Sequence, residues 1–358
     1  MLACIDTEDD TIEKMKSSSI LLKIYSEYIR LRIRERERPV RQNITSVLVP
    51  GAAGPAGINT IKSLKMAGFG GKIIATDSSK LSAGFFMASA HVVMPKVVDE
   101  VNYMMKLEQL INNHNIEVLM PSSGYDIQPY SKHRKQIEEL GAKPVVSDLE
   151  SMEICYDKMM TFQKLNGKFD MPFTTINPDK IPEFPIIAKP RREKGGYDMM
   201  IIEDENDLRY ATSKFHDMIF QEYLPGAEYT IDVLSDLNKN PLVAVPRIRL
   251  ETKSGISTQG KVIHDAQIEQ ICMNVANFIG IRGPCCIQIK GAKDGTLKLV
   301  EINPRMGGGT IFAALAGVNF PALILDMVSG KEIITPPSFS EVTIIRYFEE
   351  IVINKTDD

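Results

Sequence analysis

Hydrophobic residues between positions 45 and 148 occur in short runs that are separated by polar segments of about helix length. The runs are Val47-Leu48-Val49, Ile73-Ile74-Ala75, Val92-Val93-Met94, Val118-Leu119-Met120 and Val145-Val146. Continuous apolar runs are typical of strands that are buried on both faces, and intervening helices supply the cover. The pattern therefore predicts an α/β region with a mostly parallel sheet.

The pattern changes near residue 150, where prolines become frequent and stretches resembling β-hairpins follow. This change predicts a second region of α+β type that begins near Ser147–Ser151. Before residue 45, apolar residues at helical spacing and an arginine-rich run predict a helical arm, either a solvated helix packed on the body or an oligomer contact. After residue 335, one strand and a polar tail are expected.

Composition indicates a folded protein without a nucleic-acid or disulfide signature. The 358 residues are 44% hydrophobic and 25% charged, with a formal net charge of −4, which suits two or three domains and gives no electrostatic reason to expect nucleic acid. The five cysteines form no CxxC pair, so structural zinc and disulfides are not expected. No apolar run is long enough for a membrane span, and the acidic start is unlike a secretory leader. We therefore expect a cytoplasmic protein.

A glycine-rich segment, Gly51–Gly57, follows the first apolar run and precedes a helix, and Asp77 ends the second run. In dinucleotide-binding proteins such glycines admit a pyrophosphate and the carboxylate holds a ribose. This interpretation predicts an NAD(P)-dependent oxidoreductase. Tight packing of strand on helix, or anion binding at the helix N-terminus, explains the same glycines.

Residues 285–303 predict two strands joined by an Asp-Gly turn at 294–295. With that turn, Gln288 lies opposite Glu301, and alternation places Asn303 on the same face. Three oxygen ligands, of which one is charged, suit Mg²⁺ (or Mn²⁺) that also takes phosphate oxygens. A solvated hairpin face is the simpler alternative. The cation Arg305 and a glycine stretch directly after the strand favour the metal-phosphate site.

Further phosphate and nucleotide ligands are predicted upstream. Lys189 ends an apolar strand and Lys158 is a second cation, while Gly195 and Gly196 form a loop that can cover phosphates. The segment from Gln221 to Glu228 offers amide edges for a base and a carboxylate for a ribose.

In order and spacing these elements resemble the ATP-grasp ligases, most closely one ATP-grasp unit of the carbamoyl phosphate synthetase large chain and its stand-alone relatives. The resemblance covers about residues 45–335, and its most specific part is Glu301-Ile302-Asn303-Pro304-Arg305. It implies a Rossmann-like pre-ATP-grasp domain followed by a two-lobed ATP-grasp fold. The implied segments are an arm (1–44), the pre-ATP-grasp domain (45–148), a central lobe (149–225), a C-terminal lobe with the metal site (226–335) and a tail (336–358).

The resemblance also implies roles for the site residues. ATP would contact Lys158, Lys189, Gly195, Gly196, Gln221, Glu222, Tyr223, Leu224 and Glu228, while Gln288, Glu301 and Asn303 would bind Mg²⁺. Arg305 would neutralise the transferred phosphoryl group and, with Lys189, act in catalysis.

The function expected from this resemblance is that of an ATP-dependent ligase. It activates a carboxylate or bicarbonate as an acyl phosphate and transfers it to an amine, as carbamoyl phosphate synthases do. Candidate substrate ligands are Arg247, Arg249 and Asp126. The expected partners are small molecules and a second copy of the chain, without membrane or nucleic acid. Two alternatives stay open, the oxidoreductase described above and a non-catalytic ATP-binding regulatory subunit.

Overall fold

The first sheet is built from the apolar runs that begin at residue 45. The computed structural model describes residues 44–192 and 199–353. Its first five strands are β1 (Ser46–Pro50), β2 (Lys72–Asp77), β3 (Ala90–Val93), β4 (Val118–Leu119) and β5 (Lys143–Pro144), all parallel, in the order β3-β2-β1-β4-β5. Val47, Leu48 and Val49 are fully buried, because helices cover both faces of β1. The predicted parallel sheet is confirmed.

Two antiparallel sheets follow. The first contains β6 (Thr174–Thr175), β7 (Ile186–Pro190), β8 (Met200–Ile202) and β9 (Met218–Glu222) in the order β6-β9-β7-β8. The second contains β10 (Glu228–Ser235), β11 (Pro241–Lys253), β12 (Ile256–Val262), β13 (Gly283–Gly291), β14 (Leu297–Asn303) and β15 (Val342–Ile345) in the order β14-β13-β10-β11-β12-β15. This mixed α/β and α+β architecture agrees with the predicted fold class.

Helices connect and cover the sheets. They are α1 (Pro55–Met66), α2 (Glu100–His114), α3 (Ile127–Lys132), α4 (Arg134–Glu139), α5 (Leu149–Tyr156), α6 (Lys158–Leu165), α7 (Glu205–Lys214), α8 (Ala266–Ile279), α9 (Ile311–Ala316) and α10 (Phe320–Val328), with short 3-10 turns at Ala83–Met87 and Pro178–Lys180. Aspartates fix several starts: the Asp265 carboxylate, for example, accepts hydrogen bonds from the backbone at Gln267 and Ile268. The left-handed Gly280 ends α8.

Core packing joins the first sheet to the C-terminal sheet. One apolar cluster contains Val47 and Val49 from β1, Val243 from β11, and Phe312 and Phe320 from α9 and α10. Residues 301–310, which leave β14 and lead into α9, therefore lie at the junction of the two sheets.

The structure describes the predicted C-terminal tail but almost none of the predicted N-terminal arm. The predicted tail contributes β15, which pairs with β12 and so belongs to the six-stranded sheet. The predicted arm, 1–44, lies outside the described residues except for its last position. No helix in the described part of the chain is long and apolar enough to cross a bilayer.

Candidate functional site

The hairpin of β13 and β14 brings the predicted metal ligands together. Gln288 pairs with Glu301, and Cys286 pairs with Asn303, so the predicted cross-strand pairs are confirmed. Because side chains alternate along a strand, Glu301 and Asn303 project from the same face as Gln288. All three offer oxygen atoms, and Glu301 is half-buried. Oxygen donors of this kind suit a hard cation that also takes phosphate oxygens.

The turn of this hairpin differs from the predicted two-residue turn. Lys293-Asp294-Gly295 form a three-residue loop, closed by a 2.8 Å hydrogen bond from the Ala292 amide to the Thr296 carbonyl, with Gly295 at φ +86°. This loop shifts the pairing by one residue. A bulge at Val300, where the register changes between Gln288 and Ile289, shifts it back.

Lys189 supplies the cation that faces this hairpin. It lies on β7 with 8% of its surface exposed. Burial lowers the pKa of its ammonium to about 8; Glu301 and Glu228 oppose that shift, whereas Lys158 adds to it. Lys158, Glu228 and Glu301, which sequence analysis assigned separately, therefore all lie within electrostatic reach of Lys189.

Asp157 fixes the start of α6 next to Lys158. Its buried carboxylate accepts hydrogen bonds from the backbone of Met159 and Met160 at 3.0 and 3.1 Å. It also forms ion pairs with Arg191 at 2.7 Å and Arg192 at 2.9 Å. These two arginines directly precede the predicted phosphate loop. Its glycines, Gly195 and Gly196, lie outside the described residues.

The segment predicted to meet adenine runs along the end of β9. The Gln221 amide is buried and donates to the Thr174 hydroxyl at 3.0 Å. The Glu222 carboxylate is held by Lys298 at 2.7 Å and by the Phe173 amide at 3.0 Å. The Glu222 side chain is therefore occupied, and its backbone amide donates to the Phe173 carbonyl at 2.9 Å.

Tyr223 and Leu224 follow the end of β9. Leu224 is buried, and the Lys290 ammonium lies 5.9 Å from the centre of the Tyr223 ring. Leu224 thus supplies an apolar wall, while the Tyr223 ring packs beside a cation.

Glu228 and Arg249 form an ion pair across β10 and β11. Arg249 also donates to the Gly255 carbonyl at 2.6 Å, at the tip of the β11–β12 hairpin. The predicted substrate ligand Arg249 is therefore placed at the carboxylate predicted to hold the ribose. Its neighbour Arg247 is also buried but faces a different partner.

That partner is Asp232, which sequence analysis missed. Its carboxylate is 1% exposed, accepts a hydrogen bond from the Thr310 hydroxyl at 2.8 Å and lies 3.4 Å from Arg247 Nε. Burial raises the pKa of Asp232, and the nearby Arg247 opposes the shift. A charged residue between the apolar Ile231 and Val233 is the sequence signal that could have identified it.

The glycine stretch after β14 packs against these groups. Arg305 donates to the Met306 carbonyl at 2.9 Å and to the Asn303 side chain at 3.3 Å. A Cβ atom on Gly309 would lie 2.3 Å from Arg247 Nη2, and one on Gly307 would lie 3.1 Å from Cys286 Sγ. Close packing therefore favours glycine at both positions.

Asp126, the third predicted substrate ligand, lies beneath the surface of the first domain. It is 9% exposed and accepts a hydrogen bond from the Tyr103 hydroxyl, which also contacts the Tyr130 hydroxyl at 2.9 Å. Burial raises the pKa of its carboxyl, although hydrogen bonds from Ser123 and Tyr103 lower it. The described neighbours of Asp126 give it a buried structural role and do not bring it to Arg247 or Arg249.

The Gly51–Gly57 segment is filled by the protein's own atoms. The Ala53 amide donates to Asp77 at 2.8 Å, so the carboxylate proposed for a ribose caps the loop itself. A Cβ atom on Gly57 would lie 2.3 Å from the Gly51 carbonyl, and one on Gly84 would lie 2.7 Å from the Ala52 carbonyl. These contacts favour tight packing as the reason for the glycines.

A small cavity of about 30 Å³ opens beside the metal-ligand strand. Ile127 and Gln128 of α3 line one side, Met152 and Cys155 of α5 another, and residues 301–305 the third. This is where the first domain meets the hairpin.

Comparisons with known proteins agree with this fold. Residues 214–351 match the family described as ATP-grasp in the biosynthetic pathway with Ter operon, and residues 52–145 match the PylC-like N-terminal domain. The chain is 28% identical over 121 residues to the D-alanine–D-alanine ligase of Pseudothermotoga lettingae, a match that covers 32% of this chain and 40% of that enzyme. The corresponding enzyme of Petrotoga mobilis is 31% identical over 105 residues, which cover 27% of this chain and 35% of that enzyme. The matched part of the chain thus spans well under half the length of these curated relatives.

Solved structures share the fold at low sequence identity. Biotin carboxylase from Campylobacter jejuni superposes with a TM-score of 0.66 at 15% identity, over 83% of this chain and 74% of that one. The biotin carboxylase domain of Hydrogenobacter thermophilus 2-oxoglutarate carboxylase gives 0.67 at 15%, over 83% and 73%. L-amino acid ligase from Bacillus licheniformis gives 0.61 at 15%, over 82% and 75%.

Proposed function

Because this chain belongs to the ATP-grasp superfamily, we propose that it is an ATP-dependent ligase that phosphorylates a carboxylate and passes the acyl group to an amine. The observation that carries the proposal is the shared environment of Lys189, Lys158, Glu228 and Glu301 beside the β13–β14 hairpin. Cations on one side and metal-binding oxygens on the other are what phosphoryl transfer requires.

In this proposal the two lysines bind the phosphates, and the backbone of Glu222 and Leu224 meets the adenine. Glu228 holds the ribose, which requires its ion pair with Arg249 to rearrange. Gln288, Glu301 and Asn303 hold Mg²⁺, which neutralises charge on the phosphate oxygens when it is bound.

Arg305 contacts the carboxylate that accepts the phosphoryl group in this proposal. It follows Asn303 by two residues and contacts its side chain, so its guanidinium lies next to the metal ligands. There it can orient the attacking carboxylate and stabilise the charge of the phosphoryl group in transfer. Phosphorylation gives the carboxylate a leaving group, and the amine then attacks the acyl carbon and displaces phosphate.

The relatives indicate which class of carboxylic acid is activated in this proposal. The relatives named D-alanine–D-alanine ligase and L-amino acid ligase join amino acids, and the resemblance to carbamoyl phosphate synthetase adds bicarbonate. We therefore propose an amino acid or another small carboxylate as the activated substrate, with bicarbonate as the second candidate.

The experiment measures ADP release from Mg-ATP with separate pools of amino acids, other carboxylates and bicarbonate, each with ammonium and amino acids as amines. The wild type is compared with Glu301→Gln, which removes the single charged metal ligand. Glu108→Gln, on the exposed face of α2, is the matched control. We expect ADP release that depends on one pool, falls at least about 100-fold in Glu301→Gln and is unchanged in the control.

The alternatives predict other results. ATP binding by calorimetry without ADP release in any pool would favour a regulatory nucleotide-binding subunit. Binding of NAD(P)H without binding of ATP would favour the oxidoreductase and refute the proposal. Equal ADP release by wild type and Glu301→Gln would refute the assignment of the metal site.

A further inference from the structure

Three arginines from separate strands converge on Asp232, and we call them the arginine cluster: Arg247, Arg305 and Arg346. Arg247 lies on β11, Arg305 follows β14 and Arg346 follows β15. Arg247 forms an ion pair with the Asp232 carboxylate at 3.4 Å, and all three guanidinium groups oppose the rise in its pKa that burial causes. One carboxylate therefore faces three guanidinium groups.

Arg247 is the most deeply buried member, and its ion pair with Asp232 is long, with 3.4 Å between Nε and Oδ2. Only 3% of its surface is exposed. Its Nε and Nη1 atoms have no hydrogen-bond partner among the described residues, and neither does Asp232 Oδ2. Buried donors without acceptors are costly, and a buried guanidinium is normally satisfied on its whole donor edge. Arg247 thus has donor capacity that the described protein groups do not use.

Arg346 approaches from the edge strand. One of its nitrogens donates to the Gly308 carbonyl at 2.5 Å, and its guanidinium carbon lies 4.8 Å from the centre of the Phe312 ring. Burial and the neighbouring Arg247 lower its pKa to about 10, although Asp232 counteracts them. Two like charges are thus held near each other at a partly desolvated site, which is unfavourable without a further anion.

The arginine cluster adjoins the proposed metal site. Cys286 on β13 pairs with Asn303 on one side and with Asp232 on the other, so Asp232 lies two strands from the predicted metal ligand. Glu301 is committed to the metal, and Arg305 to the carboxylate that is phosphorylated. Arg247 and Arg346, which both lie beside the Phe312 ring, have no role in that proposal.

We propose that the activated acid carries a second acidic group, a carboxylate or a phosphate, that binds between Arg247 and Arg346. This inference rests on the proposed ligase function and names the substrate class of that site. A second acid group would supply oxygen acceptors to the unused donors of Arg247 and would balance the excess positive charge. The planar guanidinium suits paired contacts with either kind of group.

The test uses pairs of acids that differ only by the second acidic group. They are L-alanine and L-aspartate, butyrate and succinate, and L-serine and O-phospho-L-serine, each assayed for ADP release at fixed Mg-ATP and amine. We expect at least one diacid to be used about 10-fold better in kcat/KM than its monoacid partner, since a charged hydrogen bond is worth about one to two factors of ten. Comparison of the two carboxylate pairs with the phosphate pair shows whether the second acidic group is a carboxylate or a phosphate.

Arg346→Gln is the informative variant, because Arg346 is half-buried at the end of an edge strand, whereas substitution of the buried Arg247 endangers folding. We expect it to raise the KM of the diacid about 10- to 100-fold, with an unchanged KM for ATP and unchanged use of the monoacid. Arg209→Gln, on the exposed face of α7, is the matched control. Arg346→Lys, which keeps the charge but loses the planar donor pair, should restore part of the affinity.

The inference is overturned if monoacids are used as well as diacids, or if Arg346→Gln weakens both members of a pair equally. Should no acid support ADP release, the proposed function fails, and the inference is decided by binding alone. Calorimetry with succinate, butyrate and O-phospho-L-serine then either finds diacid binding that Arg346→Gln abolishes, which supports the anion site, or finds none, which refutes it.

Discussion

Replacement of Lys189 by methionine should stabilise the protein in the absence of nucleotide. Burial lowers the pKa of this lysine from 10.5 to about 8, net of the attraction by Glu301 and Glu228. Since each pKa unit corresponds to about 1.4 kcal/mol, the charged lysine costs the folded state about 3 kcal/mol at pH 7. Methionine has a similar length and carries no charge, so Lys189→Met should raise the free energy of unfolding by about that amount.

The stability difference between the wild type and Lys189→Met should depend on pH. Below pH 8 the lysine is charged in both the folded and the unfolded chain, and the full cost is present. Between pH 8 and 10.5 the unfolded chain binds more protons than the folded one, so the wild type gains stability as pH rises. Urea unfolding at pH 6.5 and 9.5 should therefore show the advantage of Lys189→Met shrinking by about 2 kcal/mol.

Lys298→Met is the matched control because its ammonium is paired with Glu222 at 2.7 Å. Removal of this paired lysine should lower the free energy of unfolding, the opposite sign. The reasoning is refuted if Lys189→Met is less stable than the wild type at pH 6.5, or if its advantage is the same at both pH values. Mg-ATP should stabilise the wild type and leave Lys189→Met unchanged, since the variant lacks the charge that the phosphates would meet.

Three further outcomes follow from individual contacts. Gln221→Leu removes the buried amide that donates to Thr174, and calorimetry should show ATP binding weakened about 10-fold. Asp157→Ala, which loses both ion pairs and the helix cap, should lower the free energy of unfolding in urea by about 3 kcal/mol; Asp157→Asn keeps the cap and should be about 1 kcal/mol less damaging. Tyr103→Phe leaves Asp126 short of one donor and should cost about 2 kcal/mol of stability without a change in the KM for ATP. A raised KM would place Asp126 in the substrate site after all.

Local patterns were sufficient to predict the hairpin that carries the metal ligands. The apolar alternation of β13 and β14 and the Asp-Gly pair set the approximate register, which the structure confirms at Gln288 and Glu301. The turn was wrong by one residue. The predicted pairs survive because the bulge at Val300 compensates for the longer loop, and nothing in a local sequence pattern specifies that compensation.

Long-range pairing explains what sequence analysis could not predict. Arg346 was assigned to a tail, but β15 pairs with β12 about eighty residues earlier and delivers this arginine to Asp232. Arg247 and Arg249 share a strand face, as expected, yet β10 presents a different carboxylate to each of them. Strand order, which depends on packing across the whole sheet, decides these partners.

Lys189 and the arginine pair Arg247 and Arg346 are buried or half-buried cations that answer a single electrostatic demand of the proposed reaction. A ligase of this kind brings a triphosphate and a carboxylate together, and two unit charges 4 Å apart repel by about 4 kcal/mol at an effective dielectric constant of 20. In the proposed site Lys189 would offset that repulsion from the phosphate side, whereas Arg247 and Arg346 would offset it from the acid side. Binding of both anions would recover the cost of burying these cations. Each substrate would meet its own cations, so we expect binding of one substrate to strengthen binding of the other only through the metal and Glu301.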